Sequence, residues 1–187
     1  MRKYNEVGKF QMESSVMRIS DPMYAPDVWC AATLDNCVTG TWTATVGIQD
    51  EGEFGNRVAI LFARHSRGPK LKDAEYIYTS EEDGQGYIHW PHTWKKVDAQ
   101  IGVDSASCGF FDDATYQDDS IIEYEPNCPS SEPKWLNACW NHTTSEAQAG
   151  VLPNGCVCTS GYGDGVYHAF YHTNTKGQVD AVAVVFL

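Results

Sequence analysis

Three short segments combine acidic residues with small hydroxyl residues and glycine in ways that could build a site. Residues 19–24 read Ile-Ser-Asp-Pro-Met-Tyr, and Asp21 and Tyr24 are the groups in it able to bind. Residues 103–112 read VDSASCGFFD, with Asp104 and Ser105 near the start and Asp112 at the end. Residues 159–167 read TSGYGDGVY, with Ser160, Asp164 and Tyr167 distributed over a run of alternating glycines. Carboxylates at strand ends can accept hydrogen bonds from a polar ligand, or supply oxygen to a divalent cation. Alternating glycines permit close backbone approach, and successive turn amides can hold an anion. Each pattern also has a plainer reading, a sharp turn whose aspartate ties down its own backbone.

Other chemistry has less to rest on. The run DDATYQDD, from Asp112 onward, suggests calcium but lacks the glycine and terminal glutamate of an EF-hand loop. A solvated acidic turn is its commoner meaning. His168 and His172 share a strand face at a separation of about 13 Å, too far for one zinc ion. His89 and His92 flank a proline, and no H-E-x-x-H pattern exists. No nucleophile elbow, P-loop or dinucleotide fingerprint is present. A Ser or Cys triad is a spatial arrangement, so the sequence leaves it open while giving it no local support. Seven cysteines, an odd number with no paired C-x-x-C motifs, read as reduced thiols; Cys156 and Cys158 read as small buried hydrophobes.

The whole chain bounds these readings. Its 187 residues are expected to form one domain, 1–187, with no linker or internal repeat. The net charge of −12 argues against gripping nucleic acid and against adsorbing to anionic membranes. No apolar run is long enough for a membrane helix. The opening MRKYNEVGKF has basic residues with no apolar stretch behind them, so a cytosol is the expected location.

The elements that must position the candidate residues are mostly strands. Valine (15) and threonine (13) far outnumber leucine (6), a balance suited to pleated sheets. Residues 41–48 alternate Trp42, Ala44, Val46 and Ile48 against Thr41, Thr43 and Thr45. With residues 57–64 they read as a hairpin, which places Arg57 at a strand start. Residues 75–79 and 96–103 read as further strands. A final hairpin turns at Asn174-Thr175-Lys176-Gly177, and its last strand, apolar after Asp180, reads as central and covered on both faces. Residues 26–37 suit a short helix. Residues 131–142 suit a second, capped by Ser131, with Trp135, Leu136, Cys139 and Trp140 as its apolar stripe. Trp90 and Trp94 read as core. The expected fold is mainly β: an antiparallel β sheet or sandwich with one or two short helices.

In order, Asp21-Pro22-Met23-Tyr24, Gly40-Thr41-Trp42, Arg57-Val58-Ala59, residues 103–112 and residues 160–167 resemble a group of bacterial and phage proteins of unknown function. Close relatives in that group carry cysteine where this chain has Met23. The resemblance implies a small bacterial or phage cytosolic protein and supplies no reaction.

The expected function is therefore binding. A pocket of strand-end groups, drawn from Asp21, Tyr24, Arg57, Asp104, Ser105, Asp112, Ser160, Asp164 and Tyr167, would hold a small polar ligand or a protein partner. No cofactor is expected. A metal-assisted hydrolase using the same aspartates with a divalent cation is one alternative. A phage structural protein or host inhibitor is another. All of these depend on the three turns converging.

Overall fold

The alternating segments become strands, and the strands form two antiparallel sheets packed face to face. The computed structural model describes residues 2–69, 93–126 and 128–187, with the backbone of residues 78–82 and 85–89. The larger sheet orders β1 (Lys3–Met12), β4 (Gly40–Asp50), β5 (Asn56–His65), β14 (Val179–Val185), β13 (Gly165–Thr173) and β8 (Trp94–Lys96). A further strand, β9 (Ile101–Val103), also pairs with β13. The smaller sheet orders β11 (Ala149–Leu152), β12 (Gly155–Thr159), β10 (Ser107–Asp112), β2 (Met17–Ser20) and β3 (Ala32–Leu34). Strands β6 (Tyr78–Glu82) and β7 (Gln85–His89) form a separate hairpin. The strand read at 75–79, the imidazoles of His89 and His92, and Trp90 lie largely or wholly outside the described residues.

The main core fills the space between the sheets. The larger sheet contributes Phe10, Trp42, Ala44, Val46, Leu61, Val182 and Val184; the smaller contributes Met17, Ile19, Cys108, Phe110, Cys156 and Cys158. Side chains two apart point the same way, which is why these positions recur at period two. The outer face of the larger sheet carries a second cluster with Ile60, Phe62, Trp94 and Phe170. Strand β14 is therefore buried on both faces, as its unbroken apolar run requires. Its hairpin with β13 closes through Asn174 and Gly177, whose φ of 75° suits a bulged turn.

The helix α1 (Lys134–Thr143) covers the outer face of the smaller sheet. Trp135, Ala138 and Cys139 pack on Phe111, Leu152 and Val157. The rings of Phe111, Tyr116 and Trp135 meet at centroid distances of 5.0–5.4 Å. No helix among the described residues is long and apolar enough to cross a membrane.

Three local expectations are corrected. Residues 26–37 form turns and then β3 instead of a helix. Cys30, Ala32 and Leu34 are buried at period two, and β2 offers β3 a pairing edge. Residues 96–103 are two strands, not one. Lys96 faces Phe170 and Ile101 faces Tyr167, so four residues lie opposite two and the edge must bulge. Finally, Ser131 does not cap α1. Pro133 occupies the cap position without a side-chain bond, and the Trp135 amide donates to Asp119 Oδ1 at 2.9 Å.

Candidate functional site

The β2–β10 pair places the first two candidate turns side by side. Asp21 follows the end of β2 and is fully buried. Its Oδ2 accepts from the backbone amides of Asp104 (2.8 Å) and Ser105 (2.7 Å). Its Oδ1 accepts from Ser105 Oγ (2.7 Å) and from the Met23 amide (2.8 Å). Four donors thus saturate the carboxylate, which is how a buried charge is stabilised in a dry interior. The backbone of residues 21–24 is held from behind as well. Tyr116 Oη donates to the carbonyls of Asp21 and Tyr24, and Gln117 Nε2 donates to those of Pro22 and Tyr24.

The third turn joins the second. Asp164 Oδ1 accepts from the Ala106 amide at 3.1 Å, and the Ser160 amide donates to the Ala106 carbonyl at 3.0 Å. Ser160 Oγ donates to Gly163 O, and Tyr167 Oη donates to the carbonyls of Ser160 and Gly163. So Asp21, Tyr24, Asp104, Ser105, Ser160, Asp164 and Tyr167 lie around one connected set of turns. Most of their polar atoms are engaged with the chain itself. Tyr24 is half-buried beside Cys30. Burial, then the Cys30 thiol and the charges of Asp104 and Asp21, push its phenol up to about 12.

Two candidates lie outside that set. Asp112 is at the opposite end of the β2–β10 pair, since Asp112 faces Met17 while Gly109 faces Ser20. Its Oδ2 accepts from the amides of Glu13 (2.6 Å) and Ser14 (2.8 Å), and its Oδ1 from Ser14 Oγ (2.5 Å) and the Ala114 amide (3.1 Å). Arg57 meets the third turn at Tyr162, with its guanidinium 5.7 Å from that ring's centroid. The rest of the acidic run is committed as well. Asp113 pairs with Arg18 at 2.7 Å, Asp118 holds the Ser120 amide, and Asp119 caps α1. Among the described residues no three His, Cys, Asp or Glu side chains are grouped to share a metal ion.

The concavity lies beside the aspartates. A cleft of about 370 Å³ opens between residues 22–23, residues 105–107 and α1. Pro22, Met23, Pro133, Leu136, Cys139 and Trp140 supply its apolar lining; Ser105, Ser107, Glu132, Asn137 and Thr143 supply the polar atoms. Met23 is 53% exposed and Trp140 59% exposed at its walls. The sequence carried a signal for this surface. A stripe of Trp135, Leu136, Cys139 and Trp140 is wider than one packing face needs, and the fold buries the first and third while leaving Trp140 out. Ser107 was missed because a serine inside an apolar strand resembles any outward-facing position.

The other titratable groups are structural in geometry. Cys37 and Cys156 have thiols pushed up to about 12 by burial, and burial also raises Cys108, Cys139 and Cys158. His172 Nδ1 lies 2.6 Å from Asp180 Oδ1. His168 Nδ1 is covered and without a partner among the described residues, and burial followed by the Lys96 charge lowers its pKa. Comparisons of the chain with protein-family models, with curated proteins and with solved structures gave no match.

Proposed function

We propose that this protein is a binding module whose ligand occupies the cleft between residues 22–23 and α1. The observation that carries this is an apolar recess built on a locked frame. Residues 21–24 and 104–105 are held together by the four hydrogen bonds to Asp21, so the wall does not have to be ordered when a ligand enters. Small-molecule sites are typically concave and mostly apolar, with a few polar groups that fix orientation. This cleft has that composition and a volume within the usual range. In this reading the strand-end aspartates shape the site from behind and the ligand touches their neighbours. Glu132 is the one ionisable carboxylate in the lining, which favours a neutral or cationic ligand with an apolar body.

The bacterial or phage cytosolic setting belongs to this proposal through the resemblance of its motifs. Metal-assisted hydrolysis has less support, because Asp21 and Asp112 lie at opposite ends of a strand pair with their oxygens already engaged.

Methyl-labelled protein, observed by NMR while a library of small aromatic amines and amides is titrated in, tests the reading. Hits should move the Met23 methyl and the Trp140 indole together, and Leu136→Asp should abolish those shifts without unfolding the chain. A library with no member that moves both groups would overturn it.

A further inference from the structure

A second surface, independent of the cleft, gathers at the β4–β5 loop and the glycine-rich turn before β13. Tyr162 stands between Gly161 (φ 58°) and Gly163 (φ 115°), a backbone path that turns its ring outward. It remains 56% exposed, and Phe54 from the β4–β5 loop is 64% exposed. The two rings meet edge to face, with centroids 5.9 Å apart and planes at 85°. Arg57 lies over the Tyr162 ring. Tyr162 Oη donates to Glu51 Oε2 at 2.5 Å, and Gln49 Nε2 donates to Glu51 Oε1 at 2.7 Å. The Arg57 Nε is covered and has no partner among the described residues.

Phe54 and Tyr162 form an exposed aromatic pair outside the core, and the pair is backed by polar groups. Their bases are rigid. The Tyr162 turn is closed by the Gly163 amide donating to Ser160 O, by Ser160 Oγ, and by Tyr167 Oη. The Phe54 loop is closed by the Glu51 amide donating to Gly55 O and the Gly55 amide donating to Gly52 O. Little ordering is left for a ligand to impose.

We propose that this corner is a saccharide-binding site that takes a neutral pyranose ring. Perpendicular aromatic faces do not form the parallel slot that a flat heterocycle would fill. They do form an angle into which the C–H face of a chair-shaped ring packs while its hydroxyl rim meets polar groups. The rim here offers the Glu51 carboxylate as acceptor, the Arg57 guanidinium as donor, and the Tyr162 hydroxyl. Both charge signs are present within a few atoms, so a cation meets Arg57 and an anion meets Glu51 and the neighbouring Asp50 and Glu53. A neutral polyol satisfies both without leaving a charge opposed. A nucleic-acid occupant is disfavoured by the overall charge of −12.

The test is amide and aromatic NMR of the whole chain with four probes at millimolar concentration: methyl β-glucopyranoside, methyl β-galactopyranoside, methyl α-mannopyranoside and N-acetylglucosamine. Adenosine serves as the flat control. At least one sugar should give saturable shifts at Phe54, Gly161, Tyr162 and Gly163. Tyr162→Ala and Phe54→Ala should each weaken it about tenfold, in line with the loss of one aromatic contact. Tyr162→Phe, which keeps the ring, should weaken it less. All three variants should retain the wild-type unfolding midpoint because the rings are exposed. The proposal is overturned if none of the four sugars moves these resonances, if the shifts survive Tyr162→Ala, or if adenosine binds more tightly than every sugar.

Discussion

Asp21 and Asp112 do the same thing at opposite ends of one strand pair. Each sits at the end of its strand, accepts two backbone amides on Oδ2, and accepts a serine hydroxyl plus the amide two residues on at Oδ1. Each grips the loop that leads into the other's strand: Asp21 holds Asp104 and Ser105 ahead of β10, and Asp112 holds Glu13 and Ser14 ahead of β2. The arrangement is a reciprocal clasp with a local two-fold pattern. Both carboxylates are fully buried, so the clasps act in low dielectric where charged hydrogen bonds are strong and unpaired donors costly.

The clasps should therefore be equal in stability. Asp21→Asn and Asp112→Asn each present an amide where two backbone N–H groups point, and each should cost about 3 kcal/mol. Ser14→Ala and Ser105→Ala, which remove one donor, should each cost about 1 kcal/mol. Urea unfolding of the four variants checks this. An Asp21 variant with unchanged stability would show that its carboxylate serves a ligand instead.

Acid should destabilise the fold as two histidines with lowered pKa take up protons. His65 is held below the ordinary histidine value of 6.5 by burial and then by Arg67, against an opposing pull from Asp180. His168 is lowered by burial and by Lys96. The unfolded chain binds these protons more readily, so this stability is intact above about pH 6.5 and is lost as pH falls through the lowered folded values. The melting temperature should drop between pH 7 and pH 5, and His168→Gln should flatten part of that slope. An identical profile in the variant would remove His168 from the account.

Thiol accessibility should separate one cysteine from the rest. Cys128 is partly exposed, while Cys30, Cys37, Cys108, Cys139, Cys156 and Cys158 are buried. Ellman's reagent at mild alkaline pH should label Cys128 rapidly in the folded protein and the others only on unfolding. Cys128→Ser should abolish the rapid phase, and a rapid phase that persisted would place a second thiol at the surface.

The remote cap should matter to the cleft wall. Asp119→Ala leaves the Trp135 amide without its side-chain acceptor and should cost about 1 kcal/mol. Hydrogen exchange should speed up in the first turn of α1, where Leu136 and Asn137 line the cleft. Faster exchange confined to the last turn of the helix would contradict the assignment.

The mainly β character, the β4–β5 and β13–β14 hairpins, the doubly buried β14 and the helix near Trp135 were all legible in the residues alone. Those features follow from side-chain period and turn chemistry, which are local. The sequence also singled out Asp21, Asp104, Ser105, Ser160, Asp164 and Tyr167 as belonging to turns worth comparing. The remaining features depend on contacts between distant segments. The helix expected at 26–37 gave way to β3 because β2 offered its apolar residues an edge to pair with. Ser14 precedes Asp21 by the same seven positions that separate Ser105 from Asp112, yet that echo has no meaning until β2 and β10 lie antiparallel. Whether an aspartate faces a ligand or its own chain depends on which distant amides arrive within hydrogen-bonding reach, and no local pattern encodes that. For Asp21 and Asp112 the amides arrive, and the recess forms beside Asp21, where Met23 and Trp140 are left with no core to enter.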